Sequence, residues 1–127
     1  MSFRLSGRSR TRMTGVHPAL VAVVEAAIAR TSVDFMVTEG LRSPERQALL
    51  VKAGASRTKR SRHLTGHAVD VAALVDGRVR WDWPLYGQIA EAFKAAADEL
   101  TTPVIWGGDW PTLRDGPHFE LDRKAFP

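Results

Sequence analysis

The sequence contains no cysteine. That single absence excludes disulfides, thiolate metal sites and a cysteine nucleophile. A transition metal held by this chain must rest on histidine and carboxylate. Long apolar runs are missing as well. No stretch approaches the roughly 20 apolar residues of a membrane span. The segment from Val16 to Ala29 is broken by His17, Pro18 and Glu25. No apolar signal-peptide core follows the basic N-terminus, so no secretory signal is expected. Internal repeats and linker-like stretches are absent too.

What is present fits one domain. The chain has 127 residues, 44% of them hydrophobic and 25% charged, an ordinary balance for a globular protein. A chain of this size buries enough surface to fold without staples. The formal charge is +4. Arg4, Arg8, Arg10 and Arg12 crowd one end; Arg57, Lys59, Arg60 and Arg62 form a second cluster. Such clusters suit a polyanion: nucleic acid, an anionic membrane or an anionic wall. Solvated loop and tail is the plainer reading. Nucleic-acid readers often add a recognition helix or an aromatic platform. Neither is visible, so electrostatic attraction to an anionic envelope is the expectation and nucleic acid is not.

Residues 1–16 lack periodicity and read as a basic N-terminal arm, leaving 17–127 as the domain proper. Leu20, Val23, Val24, Ala27 and Ile28 recur at helical spacing after Pro18, predicting a helix over about 18–30. A short strand follows at 33–38. Ser43-Pro44-Glu45 is a helix start, with Gly54 as its stop. The polar segment 55–66 reads as a long loop. Ala68 to Val75 is strand-like, Asp76-Gly77 is a hairpin turn, and Val79 and Trp81 begin the return. A third helix carries Leu85, Ile89, Phe93, Ala96 and Leu100 on one face until Pro103 bars its continuation. Short strands are expected at 104–106 and 118–121, with a loop over 107–116. The expected fold is α+β: a single compact domain with a small, mainly antiparallel sheet and about three helices.

Four histidines are available: His17, His63, His67 and His118. His17 opens a helix and reads as structural. His63 and His67 have the i, i+4 spacing of the helical H-E-x-x-H zinc motif. However, Leu64 stands where the glutamate base belongs, and Thr65 and Gly66 weaken any helix there. Strand parity serves better. Ala68, Asp70 and Ala72 share one face of their strand, and His118 and Glu120 share one face of the last strand. Asp70 and His118 can thus project toward one cleft, with His63 bending over it from the entering loop. Two histidines and one carboxylate leave a coordination position for water, the composition of a catalytic zinc site. A surface aspartate with two hydrogen-bonded histidines is the alternative that composition leaves open.

The neighbouring residues add a resemblance. Ser61-Arg62-His63-Leu64-Thr65-Gly66-His67-Ala68-Val69-Asp70 matches S-x-H-x-x-G-x-A-x-D, and Asp115-Gly116-Pro117-His118 matches [DE]-x-x-H. Gly40-Leu41-Arg42-Ser43 and Gly107-Gly108-Asp109-Trp110 add a Gly-x-Arg-Ser segment and a Gly-Gly-x-Trp loop. In this order the pieces resemble the M15 zinc peptidases, the D-Ala-D-Ala carboxypeptidase/dipeptidase superfamily. The short length and the D-x-x-H-F-E ending look closest to the L-alanyl-D-glutamate peptidases used as phage endolysins.

The resemblance implies one zinc ion per chain on His63, Asp70 and His118, with Asp115 as general base. Asp115 stands where many relatives carry glutamate. Arg42 matches the active-site arginine, stabilising an oxyanion or binding a substrate carboxylate, and Ser61 matches a substrate-binding serine. Glu120 is at most a supporting group. The four tryptophans are expected in the core or along the cleft. The implied substrate is the peptidoglycan stem peptide, cut between L-Ala and D-Glu by a monomer made in a host cytoplasm and acting at the wall. A D-Ala-D-Ala carboxypeptidase or dipeptidase, and a zinc-containing binding domain without catalysis, remain open.

Overall fold

The computed structural model describes residues 2–56 and 61–127. Arg57, Lys59 and Arg60 of the second basic cluster lie outside the described residues.

The first three helices begin where the sequence supplies a cap. Ser6 Oγ accepts from Ser9 N ahead of α1 (Gly7–Arg12). His17 Nδ1 accepts from Ala19 N ahead of α2 (Pro18–Arg30), so this histidine is structural, as its position suggested. Ser43 Oγ accepts from Arg46 N ahead of α3 (Pro44–Lys52). The long helix α4 (Trp83–Leu100) has proline in its first turn and ends on Thr101 in the left-handed region. Leu85, Ile89, Phe93 and Ala96 turn inward as the periodicity predicts, but Leu100, in the last turn, is exposed.

Five strands form one sheet: β1 (Asp34–Glu39), β2 (Ala68–Val75), β3 (Arg78–Arg80), β4 (Val104–Trp106) and β5 (His118–Leu121). The order is β1-β2-β5-β4, with β3 also paired to β2, and every pairing is antiparallel. Asp76 and Gly77 both take positive φ in the β2–β3 hairpin, the mirror-image turn that matches strand twist. The α+β expectation holds.

The sheet divides its two faces by parity. Val69, Val71 and Ala73 of β2, with Phe119 and Leu121 of β5, join Phe35 and Val37 in one apolar cluster with α2 and α4. Phe93 stacks on Phe119 with ring centroids 3.8 Å apart. Asp70, His118 and Glu120 face the other way and line a cleft.

Two expectations need correction. Residues 1–16 are not an irregular arm. They include α1, and Leu5, Met13 and Val16 are buried in the core cluster. Ser9 Oγ accepts from Val37 N, and Arg12 donates to Val37 O, tying the segment to β1. The apolar residues are too sparse among Arg, Ser and Thr to reveal this by periodicity, and the helix count becomes four. Trp81 and Trp83, expected in the core or cleft, are 64% and 45% exposed. Trp81 lies flat against Tyr86, while Trp83 packs on Trp106.

Phe93→Ala should destabilise the fold by about 3–5 kcal/mol, the usual cost of truncating a fully buried phenylalanine. Urea unfolding followed by tryptophan fluorescence measures it. A loss under 1 kcal/mol would mean the Phe93–Phe119 stack is not central to the core.

Candidate metal centre

Pairing of β2 with β5 places Asp70 directly opposite His118. His63 arrives on a 3-10 turn, Arg62–Thr65, inside what reads in sequence as plain loop. Ser61 Oγ accepts from His63 N to open the turn, and Gly66 closes it at φ +73°. A Cβ at Gly66 would sit 2.4 Å from Gly15 O, so the demand for glycine comes from the loop after α1 as well as from the turn.

The three side chains converge. One ligand atom from each of His63, Asp70 and His118 lies within 4.8 Å of the others. Each imidazole has its second nitrogen held. His63 Nδ1 donates to Gly40 O at 2.8 Å, and His118 Nε2 donates to Glu120 Oε1 at 2.9 Å. That outer support, usual for histidine metal ligands, turns His63 Nε2 and His118 Nδ1 toward Asp70, with His118 Nδ1 3.1 Å from Asp70 Oδ1. His63 is 2% exposed, and its Nε2 has no hydrogen-bond partner among the described residues. It lies 3.2 Å from Asp70 Oδ2, a bonding distance without bonding geometry. A buried, unsatisfied nitrogen aimed at a carboxylate is costly unless something else fills the gap. A His-Asp-His group of this kind could bind a metal ion.

The electrostatics agree. Burial would raise Asp70, but His118 and His63 outweigh it and hold the carboxyl well below the usual range. Burial would lower His118, yet its bonds to Asp70 and Glu120 push it up to about 9. Without a metal, therefore, His118 holds a proton at neutral pH that a metal would displace.

Asp115 also lines this cleft, half-buried. Burial raises its carboxyl above the ordinary value, and the Asp70 charge adds to the shift. Among the described residues its carboxylate accepts no hydrogen bond. Its backbone is pinned instead: Asp115 N donates to Gly107 O, and Asp115 O accepts from His118 N. Trp110 walls the cleft, its ring centroid 5.1 Å from that of His118.

Arg42 is 8% exposed and nearly fully engaged. It donates to both Glu39 carboxylate oxygens at 2.8 and 2.7 Å and to Gln47 Oε1 at 2.6 Å, with Asp70 Oδ2 at 3.5 Å. Glu39 and Gln47 carry no assigned role in the sequence reading. Glu39 reaches the cleft through a β-bulge: Val37 pairs with Val71, but Glu39 pairs with Asp70. Strict alternation would place it with Val37 on the core face, so parity hides it. His67 turns away from the cleft to His17 and Thr65, as parity predicts. Arg62, counted with the basic cluster, instead donates to Leu121 O and Phe126 O and ties down the C-terminal end. The cleft measures about 920 Å³.

A family model described as phage L-alanyl-D-glutamate peptidase matches residues 1–126. The chain belongs to this peptidase family. Among relatives, the L-alanyl-D-glutamate peptidase of Escherichia phage T5 is 30% identical over 130 residues, covering 99% of this chain and 94% of the relative. The peptidoglycan L-alanyl-D-glutamate endopeptidase CwlK of Bacillus subtilis is 33% identical, over 77% of this chain and 66% of its own. Among solved structures, the Serratia marcescens L-Ala D-Glu endopeptidase ChiX superposes with a TM-score of 0.92 at 51% identity, covering 98% of this chain and 94% of that one. The vancomycin-resistance D,D-dipeptidase VanXYg, at 23% identity and a TM-score of 0.50 over 81% of this chain and 47% of its own, shares the fold.

Titrating metal-free protein with a zinc salt at pH 7.5 should release close to one proton per site. Calorimetry in buffers of different ionisation enthalpy reads it, and no release would show that His118 is not a ligand. The sign for stability follows. His118 is raised in the fold, so its contribution is full below about pH 6.5, the unfolded value, and is lost as pH rises through about 9. Chelator-treated protein should therefore melt lower at pH 9.5 than at pH 6.5, and metal should narrow the gap.

Proposed function

We propose that this chain is a zinc-dependent endopeptidase that cuts peptidoglycan stem peptides between L-Ala and D-Glu. The observation that carries the metal assignment is His63 Nε2, buried beside Asp70 and His118 with no hydrogen-bond partner among the described residues. Two imidazoles and a carboxylate are a hard-to-borderline donor set suited to zinc, and three protein ligands leave a position open. Zinc held there supplies a Lewis acid that acidifies water and polarises a carbonyl. The bond follows from the relatives, whose names agree on L-Ala–D-Glu across phage and bacterial proteins. The cellular setting follows the same way: a phage-type lytic enzyme acting on the wall.

The residues of the chain do the rest. Asp115 is the general base. Its raised carboxyl takes a proton from the attacking water and returns it to the leaving nitrogen. Asp70, held ionised far below neutral pH, keeps its negative charge through the cycle. Glu120 locks the His118 ring, and Gly40 O locks that of His63. Arg42, clamped by Glu39 and Gln47, fixes a positive charge beside Asp70, where it opposes charge building on the carbonyl oxygen. Ser61 Oγ already accepts from His63 N, and its own hydrogen remains to donate to substrate.

Digesting purified peptidoglycan and reading the new ends tests the bond. New D-Glu amino termini and free L-Ala carboxyls are expected, abolished by a chelator and restored by zinc. Release of D-Ala alone would move the chain to the carboxypeptidases. Asp115→Asn should retain zinc and lose about 10²–10⁴ in turnover, the range of general acid–base help. Unchanged turnover would remove Asp115 from the base role.

A further inference from the structure

Four arginines line the cleft among the described residues: Arg42, Arg62, Arg114 and Arg123. Three are engaged. Arg42 is held by Glu39 and Gln47, and Arg62 by two backbone carbonyls. Arg123 Nε leans on Glu120 Oε2 at 3.7 Å. Arg114 makes no hydrogen bond or ion pair with any described residue. An unpaired arginine on a surface is ordinary. This one stands inside the reaction cleft and is the chain neighbour of Asp115. It follows Leu113, whose φ of +52° is uncommon for a residue with a branched side chain. The chain thus bends at Leu113, itself in the cleft lining, just before Arg114 and Asp115.

The substrate named above has a charge that needs a receiver. D-Glu in a stem peptide continues through its γ-carboxyl, so its α-carboxylate is free. That carboxylate sits two bonds from the leaving nitrogen. Asp115 must reach the same nitrogen to return the proton. The substrate carboxylate is therefore brought close to Asp115, in a cleft that already holds Glu39, Asp70 and Glu120. Like charges at such range repel, more so where water is partly excluded. Arg114, the chain neighbour of Asp115 on the lining of the same cleft and unpaired among the described residues, is a cation available to offset that penalty. A guanidinium matches a carboxylate as a two-pronged fork.

We propose that Arg114 receives the α-carboxylate of the D-Glu residue and makes the cleft selective for stems in which that carboxylate is free over those in which it is amidated to D-isoglutamine. The inference rests on the L-Ala–D-Glu reading above.

Two synthetic muramyl tripeptides test it, both ending in meso-diaminopimelate, one with D-Glu and one with D-isoglutamine at the second position. The zinc-loaded protein should cut the acid with kcat/KM about tenfold or more above the amide, the order expected for a charged hydrogen-bonded contact. Arg114→Gln should collapse that ratio toward one, and Arg114→Lys should keep part of it. Both peptides meet the same preparation, so a folding or zinc-loading defect cancels in the ratio. A wild-type ratio near one, or a ratio untouched by Arg114→Gln, overturns the inference and leaves the peptidase reading standing. Cleavage of neither peptide at the L-Ala bond overturns both.

Discussion

The pairing of β2 with β5 is the constraint on which the cleft depends. It sets Asp70 against His118, and a slip of β5 by one residue would turn His118 to the opposite face from Asp70. The same register sends Val69, Phe119 and Leu121 to the apolar cluster. Core and candidate metal centre are thus two faces of one ladder. The hydrophobic side holds the register, because burying Asp70 and exposing Phe119 would be costly in both directions. The geometry of the centre is inherited from packing on the opposite face.

That arrangement concentrates charge. Glu39, Asp70, Asp115 and Glu120 share the cleft with Arg42 and a protonated His118. Each acid is balanced differently. Glu39 is held below its usual range because its bonds to Arg42 and Arg46 outweigh burial, and Glu120 because its bond to His118 does. Asp115 alone is pushed upward. Several acids so close together titrate apart when their surroundings differ, and the one displaced toward neutrality is suited to move protons. The others are held ionised by the cations and imidazoles beside them. Among the described residues, His63 Nε2 is left without a hydrogen bond at the centre of this network, and a half-satisfied polar network is worse than none unless a ligand completes it.

Much of this was legible in the sequence, for local reasons. The cap at Ser43, the Asp76-Gly77 turn and the stripes of α2 and α4 depend on residues a few positions apart. Asp70 and His118 were found by parity, which holds wherever a strand is regular. The misses are places where tertiary contacts override local pattern. The bulge after Val37 turns Glu39 to the cleft, and no count of alternating residues shows it. Leu5, Met13 and Val16 flank or follow α1 and join the core cluster, and α1 packs on β1. Arg62 looks like one more solvated cation until the C-terminal carbonyls it binds are in place. Trp81 and Trp83 fail the other way, because size and apolarity alone do not say which face a tryptophan meets.

The proposed base is positioned by a different device from the proposed ligands. Asp70 and His118 stand on paired strands, whereas Asp115 stands on the 107–116 segment, where no ladder holds it. Glycine takes the ladder's place. Gly107 O accepts from both Asp115 N and Trp110 N, closing the segment on itself. A Cβ at Gly107 would fall 2.3 Å from Asp115 O and 3.1 Å from the His118 Cβ. Any side chain there would push Asp115 away from His118. Trp106 Nε1 donates to Gly116 O at 2.7 Å and anchors the far end to β4. The closeness of Asp115 to the metal centre is therefore bought with a missing side chain, and Trp110, held by the same glycine carbonyl, closes the wall beside His118. Chemistry carried on a loop needs such backbone fastening, since proton transfer tolerates displacements of well under an ångström.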